Sequence, residues 1–249
     1  MSLLQTDAVV LHVADYLESS RILRLATRDA GVQSVVARGA RSSKKRFGSA
    51  VDLFAEGQAQ IQLKQGRDLH ALNGFDVTVA RPSLAVEMGR FTAASAIAEC
   101  VLRLVHEEAA PAVYDALVDG LNRLAAAAPA DTASVALSVL WQVVGEVGYR
   151  PTIDDCIECH TPLEAEDDAR FHAAVGGTLC PVCARRAPGG RLLPASARAT
   201  LRRWFLGETF PLDELAVRAH QRLLREFLAQ HLSDNRPLKA FQVWETGQW

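Results

Sequence analysis

Through the first 80 residues, hydrophobic and polar positions alternate with the two-residue period of half-buried strands, and beyond Pro82 the period becomes helical. The alternating runs are Ala8 to Val13, Arg21 to Thr27, Val32 to Arg38, Ala59 to Lys64 and Asp68 to Leu72. Turn chemistry separates several of them, at Asp29-Ala30-Gly31, Gln65-Gly66-Arg67 and Asn73-Gly74. Five short strands in about 80 residues predict a small closed or partly open barrel, and the five-stranded Greek-key OB-fold is the natural candidate. An SH3-like barrel fits the same pattern almost as well.

Pro82 suits a first helical turn, and the stretch to about Val105 offers Met88, Phe91, Ile97, Val101, Leu102 and Val105 as candidate buried positions. A second helix is expected from Pro111 into the Ala125 to Ala128 tract. A third runs from about Asp131 to Val147 and ends at Gly148-Tyr149-Arg150-Pro151. Helices resume near Ser196 to Leu206 and from Asp213 to His231, where Leu215, Leu223, Phe227 and Leu228 form an apolar stripe. The tail holds Phe241, Trp244 and Trp249, more aromatic than a free end, so part of it should pack. The reading is therefore α+β, with a barrel domain over residues 1–80 and a helical domain over 81–249. A cysteine-bearing segment, 152–186, interrupts the helices.

That segment carries the most specific chemistry in the chain. Cys156-Ile157-Glu158-Cys159 and Cys180-Pro181-Val182-Cys183 are two C-x-x-C pairs with twenty residues between them, the spacing of a zinc knuckle or ribbon. A two-residue gap lets both thiolates of a pair face one ion about 2.3 Å away, and two pairs complete a tetrahedral shell. Four protein ligands leave no position for water or substrate, so the expected Zn²⁺, one per chain, is structural. Cys156 to His160 also spells the C-x-x-C-H of haem attachment, which leaves the second pair unexplained. Two disulfides are the other alternative. They are disfavoured because MSLLQTDAVV has no basic and apolar leader, which leads to the expectation of a reducing cytoplasm. His160 and His172 could each replace a cysteine, although four thiolates make neither necessary. Cys100 sits in an Ala-rich helical stretch and reads as a small buried apolar residue.

The net charge of −2 over 249 residues conceals a segregation. Residues 1–80 carry +2, residues 81–183 carry −9 and residues 184–249 carry +5. Basic ends around an acidic middle are compatible with a polyanion-binding face. Arg38, Arg41, Lys44, Lys45 and Arg46 place five cations within nine residues, with no acid among them and Phe47 next in line. By composition this is a solvated connection. On a small barrel, a basic loop beside an aromatic is also how a nucleic-acid backbone is tracked and a base stacked. Arg198, Arg202 and Arg203 lie at helical spacing, either as an exposed helix face or as an extension of the same basic surface. No run approaches eighteen apolar residues, so no membrane partner is expected.

In sequence order, Asp7-Ala8-Val9-Val10-Leu11 to Tyr16-x-Glu18, Thr27-x-x-x-Gly31, Arg38-Gly39-Ala40-Arg41, Lys45-Arg46-Phe47-Gly48, Leu53-Phe54 and Leu69-x-x-Leu72 resemble the RecO family of bacterial recombination mediators. The helical remainder with its two Cys pairs is similar to the zinc-carrying members. The resemblance implies an N-terminal OB-fold and a helical domain bearing the zinc segment. It further implies binding of single- and double-stranded DNA, annealing of complementary strands, and partnership with RecR and single-strand-binding protein in loading RecA. DNA contact is carried over onto Arg38, Arg41, Lys44, Lys45 and Arg46. Family members differ in how many of these cysteines they keep, so zinc is not expected to be the source of activity.

No G-x-x-x-x-G-K-[ST], G-x-S-x-G or H-E-x-x-H occurs, and Glu164 to Asp168 read as an exposed acidic loop. The expectation is a protein that is not an enzyme and takes no small-molecule substrate. The competing readings are an RNA- or ribosome-associated zinc protein with a barrel domain, and an enzyme without a recognisable motif.

Overall fold

Residues 2–40, 47, 51–232 and 236–247 are described by the computed structural model of the protein. Strands β1 (Ser2–Tyr16), β2 (Ser20–Thr27), β3 (Gly31–Ala37), β4 (Glu56–Leu63) and β5 (His70–Val79) form a closed barrel in the order β1-β2-β3-β5-β4. Neighbours are antiparallel except for a short parallel contact of β3 with β5 at Val35–His70 and Val36–Ala71. β1 is longer than its alternating run because it serves both edges of the closure. Ser2 to Val9 pair with β4, Ala8 to Tyr16 pair with β2, and the register shifts between Val10 and His12. Such an irregularity bends a strand far enough to change partners. Asn73-Gly74, expected as a turn, lies inside β5: Gln60 pairs with Gly74 and Ile61 with Leu72, so Asn73 is the extra residue of a bulge.

The barrel interior is filled from alternate positions, with Ala8, Val10, Leu23, Leu25, Val35 and Ile61 fully buried. The β2–β3 turn explains two residues of the family pattern. The Thr27 hydroxyl donates to Gly31 O at 2.8 Å and accepts the Ala30 N–H at 3.1 Å. Gly31 has a φ of +62°, and a Cβ there would come 2.0 Å from His106 O. Only glycine meets both conditions.

The helices given in full by the described residues are α1 (Ser83–Val86), α2 (Met88–Leu104), α3 (Pro111–Ala126), α4 (Thr132–Val144), α5 (Pro181–Ala184), α6 (Ala195–Phe205), α7 (Glu214–His231) and α8 (Lys239–Thr246). Pro111 opens α3, the Glu87 carboxylate accepts the N–H groups of Gly89 and Arg90 at the start of α2, and Asp213 caps α7 through Ala216 N–H. Ile97 and Val101 are buried as expected, whereas Met88 and Leu215 are 48% and 80% exposed. Each stands at the N-terminal edge of its helix, before the buried stripe begins. Among the described residues no helix is long and apolar enough to cross a membrane.

Packing draws the boundary later than the change of period at Pro82. One unit comprises Met1–Ala127 with Leu238–Trp249, and the other Ala128–Pro237. Arg81, 6% exposed, joins barrel to helix inside the first unit by donating to Phe54 O and Asn122 Oδ1 and pairing with Glu56. In the aromatic tail, Phe241 and Trp244 are buried, and Glu99 on α2 accepts the Lys239 and Phe241 N–H groups at the start of α8. Trp249 lies outside the described residues. In the second unit α4 is buried on nearly every side, and Trp141 meets Phe205 of α6 and Phe227 of α7 with ring centroids 6.1 and 5.4 Å apart.

Candidate metal centre and nucleic-acid interface

The segment between α4 and α6 folds into a small ribbon. β6 (Ala169–His172), β7 (Gly177–Leu179) and β8 (Arg191–Leu193) form a sheet ordered β7-β6-β8. Strands of three or four residues leave too little alternation to be read from sequence. The first Cys pair occupies a tight turn: His160 N–H donates to Cys156 O at 2.8 Å, and His160 adopts a left-handed φ of 57°. Ile157 N–H donates to Thr178 O at 2.9 Å, which fastens this turn to β7. β7 then delivers Cys180, Pro181 begins the single turn α5, and Cys180 Sγ accepts the Cys183 N–H at 3.5 Å.

These two turns bring Cys156, Cys159, Cys180 and Cys183 together, with all four sulfurs within 4.8 Å of one another. Cys159 Sγ and Cys180 Sγ are 3.8 Å apart. A tetrahedron of bonds about 2.3 Å long has edges of about 3.8 Å, whereas a disulfide requires about 2.05 Å. All five cysteines are free. The four sulfurs could hold a metal ion, and an all-thiolate tetrahedral donor set is consistent with zinc. Neither His160 nor His172 belongs to the cluster. Cys100 is buried elsewhere, and burial pushes its thiol up.

The electrostatics fit a cation. Burial opposes ionisation of Cys156, yet N–H groups of Cys180, Cys159 and Glu158 outweigh it and hold this thiol at about 6. The Thr161 hydroxyl, 3.2 Å from Cys159 Sγ, lowers Cys159. Cys183 is pushed up to about 12 by burial and by its three sulfur neighbours. One cradle cannot hold four bare thiolates, and a divalent ion removes the repulsion that stops the last from ionising.

Arg198 corrects the sequence reading. Expected on an exposed basic face, it is fully buried. From α6 its guanidinium donates to Ile153 O at 3.0 Å, Glu164 O at 2.9 Å, Asp167 O at 2.7 Å and Leu163 O at 3.3 Å. It satisfies the carbonyls of the ribbon's loop and has no surface to offer a phosphate. Helical spacing alone could not distinguish it from its neighbours, because what buries it is the loop folded over α6. Arg202 and Arg203 are partly exposed, but each already has an acidic partner. Arg202 pairs with Asp154, and Arg203 pairs with Glu208 at 2.6 Å while its guanidinium lies 3.7 Å from the Phe210 ring centroid.

On the barrel, Arg38 is exposed in the turn that leaves β3. Arg41, Lys44, Lys45 and Arg46 lie outside the described residues. Phe47, expected to stack a base, is 1% exposed within the barrel core, in the same cluster as Val51 and Ala55. It anchors the β3–β4 connection, as burial of a large aromatic side chain favours.

Comparison with known proteins agrees with this architecture. Residues 1–80 match the family profile described as Recombination protein O N terminal, and residues 87–240 match Recombination protein O C terminal. A protein named DNA repair protein RecO from Anaeromyxobacter dehalogenans (strain 2CP-C) is 33% identical over 251 aligned positions, covering 97% of this chain and 96% of the relative. One of the same name from Nocardioides sp. (strain ATCC BAA-499 / JS614) is 32% identical, covering 98% of this chain and 99% of the relative. A barrel matched by one profile, a helical region with its four-cysteine ribbon matched by the other, and relatives aligned nearly end to end lead to one conclusion: the chain belongs to the RecO family of recombination and DNA repair proteins.

Proposed function

We propose that this chain is a DNA-binding recombination mediator that works without catalysis. It binds single- and double-stranded DNA, anneals complementary strands and, with RecR, helps load RecA onto strands coated by single-strand-binding protein in the cytoplasm. The observation that carries this reading is the family match across both parts of the chain. The closed barrel supports it, because its β3–β4 connection carries Arg38, Arg41, Lys44, Lys45 and Arg46 between the β3 turn and buried Phe47. Annealing is opposed mainly by repulsion between phosphates, which cations screen without any bond being made or broken.

One Zn²⁺ per chain would be held by Cys156, Cys159, Cys180 and Cys183, where its chemistry is to neutralise the thiolates and tie the two turns together. The chain's own residues prepare the cradle: backbone N–H groups and Thr161 favour thiolate at Cys156 and Cys159, and Arg198 secures the surrounding loop.

The test is to change Arg41, Lys44, Lys45 and Arg46 together to Glu and follow a fluorescent single strand across salt concentrations. Four neutralised phosphates contribute roughly −3 to the log-log salt slope, at about −0.7 each for single strands. The variant should bind more weakly with a flatter slope, and annealing of complementary oligonucleotides should slow with or without ATP. Unchanged affinity in a folded variant, a strict ATP requirement, or stronger binding to RNA than to DNA of the same sequence would reject the reading.

A further inference from the structure

The ribbon is electrically divided. From residue 152 to 168 it carries seven acidic residues and no Lys or Arg, and from 169 to 193 it carries four arginines and no acid. The fold assigns partners unevenly within that division. Asp154 pairs with Arg202, Asp168 caps α6 through Ala195 N–H at 3.0 Å, and Arg191 pairs with Glu226. Arg170, Arg185 and Arg186 are left exposed, and among the described residues no carboxylate pairs with any of them. Arg170 rests a single nitrogen on Gly189 O and Gly190 O at 3.4 and 3.3 Å, so its remaining donors face outward.

Two of these cations stand at a groove. Arg170 and Arg185 line a depression of about 400 Å³ whose apolar wall includes Leu179, Pro181 and Leu192. Leu192 on β8 and Val182 in the second Cys pair are 56% and 52% exposed, so the ribbon displays apolar surface beside fixed positive charge. The acidic side chain in the groove, Asp168, is occupied with its capping bond. A cationic rim over an apolar floor is complementary to a strand that presents phosphates on one side and base faces on the other. We propose that the second Cys turn of the ribbon is a second binding surface for single-stranded DNA, with Arg170, Arg185 and Arg186 contacting phosphates and Leu192 and Val182 meeting bases. This rests on the DNA-binding reading and extends it: the ribbon then has a role beyond its own stability. A chain with cations on both barrel and ribbon can hold two strands at once, as pairing them requires.

The experiment uses the full-length protein purified with its metal, the triple variant Arg170→Gln, Arg185→Gln and Arg186→Gln, and a fluorescent oligothymidine. Metal content and circular dichroism establish that the ribbon is intact. Loss of three phosphate contacts should flatten the log-log salt slope by about 2, so the ratio of wild-type to variant affinity should shrink about 15-fold between about 50 and 200 mM salt. Annealing should slow more than binding of a single strand, because the barrel still holds one partner. If the triple variant loses metal, Arg185→Gln with Arg186→Gln carries the test, since neither side chain makes a bond inside the described protein. A metal-replete variant with wild-type slope, affinity and annealing overturns the ribbon surface, as does a variant that loses binding only to an acidic protein partner. Wild-type protein that fails to bind the oligonucleotide overturns the DNA-binding reading itself.

Discussion

In the barrel, thirteen described residues from all five strands and the β3–β4 connection interlock in a buried apolar cluster, whereas the ribbon's own cluster buries Cys156, Leu179 and Cys180. At roughly 1.5–3 kcal/mol per large buried side chain, the barrel can stand on hydrophobic burial and the ribbon cannot. What the ribbon lacks in apolar surface is supplied by four sulfurs converging on one point and by Arg198 bonding to four carbonyls. Both regions present arginine to solvent, but one rests on a packed apolar core and the other on a small cluster around four sulfurs that could hold a metal ion.

If the four sulfurs hold zinc as proposed, removing it is the change expected to separate the two regions most. Structural zinc in small domains contributes of order 10 kcal/mol to folding. Chelation should therefore expose residues 152–193 to protease and to hydrogen exchange while β1–β5 keep their protection. Cys159→Ser or Cys180→Ser should act in the same direction. Loss of barrel protection together with the ribbon, or a ribbon unmoved by chelation, would show that the division is drawn in the wrong place.

Arg198→Met comes next. It removes a charged donor from four backbone acceptors at once, and a destabilisation of about 3–5 kcal/mol is expected in chemical denaturation. Arg202→Ala, on the same helix but breaking a partly exposed ion pair, should change stability by about 0–1 kcal/mol. Equal effects at the two positions would mean that the loop carbonyls find other donors.

The second unit also carries a pH dependence of its own. His220 is 3% exposed, its ring centroid lies 4.7 Å from that of Trp204, and burial lowers its pKa to about 4. In the unfolded chain the same imidazole titrates near 6.5, so the unfolded state takes up a proton first as the solution is acidified. Stability is complete above about 6.5 and falls as pH drops toward 4, by about 3 kcal/mol in all. In His220→Leu this part of the acid sensitivity should vanish from denaturation curves recorded between pH 7 and 4, while loss of metal at acid pH remains. A wild-type and variant pair with parallel pH profiles would remove His220 as the cause.

The same contrast governs what was legible in the sequence. The barrel could be read because its strands alternate over runs of five to seven residues and the interior takes one face of each, and the long helices because their periods run for three turns or more. Asn73-Gly74 misled because its turn chemistry also suits a bulge, and only pairing with β4 decides between them. The four converging cysteines were legible to the residue, since C-x-x-C spacing is local. The scaffold around them was not, since Arg198 acquires its role from carbonyls 31 to 45 positions away. Proximity in sequence likewise assigned Phe47 to the loop's chemistry, when it belongs to the barrel's packing.

Phe47 gives the smallest and most discriminating of these tests. In the barrel core, Phe47→Leu keeps an apolar side chain of similar reach and should lower stability by about 1 kcal/mol, through packing lost within the core cluster. A side chain that stacks a base behaves differently, because its removal weakens single-strand binding by about 1–3 kcal/mol, or roughly five- to 150-fold, without touching stability. Denaturation and oligonucleotide titration of this one variant therefore separate the roles. Reduced stability with affinity within about twofold of wild type is expected from the buried position, since the loop cations retain their charge. Unchanged stability with a tenfold or greater fall in affinity would return Phe47 to the DNA surface, and with it the division of labour between an apolar anchor and the cations before it.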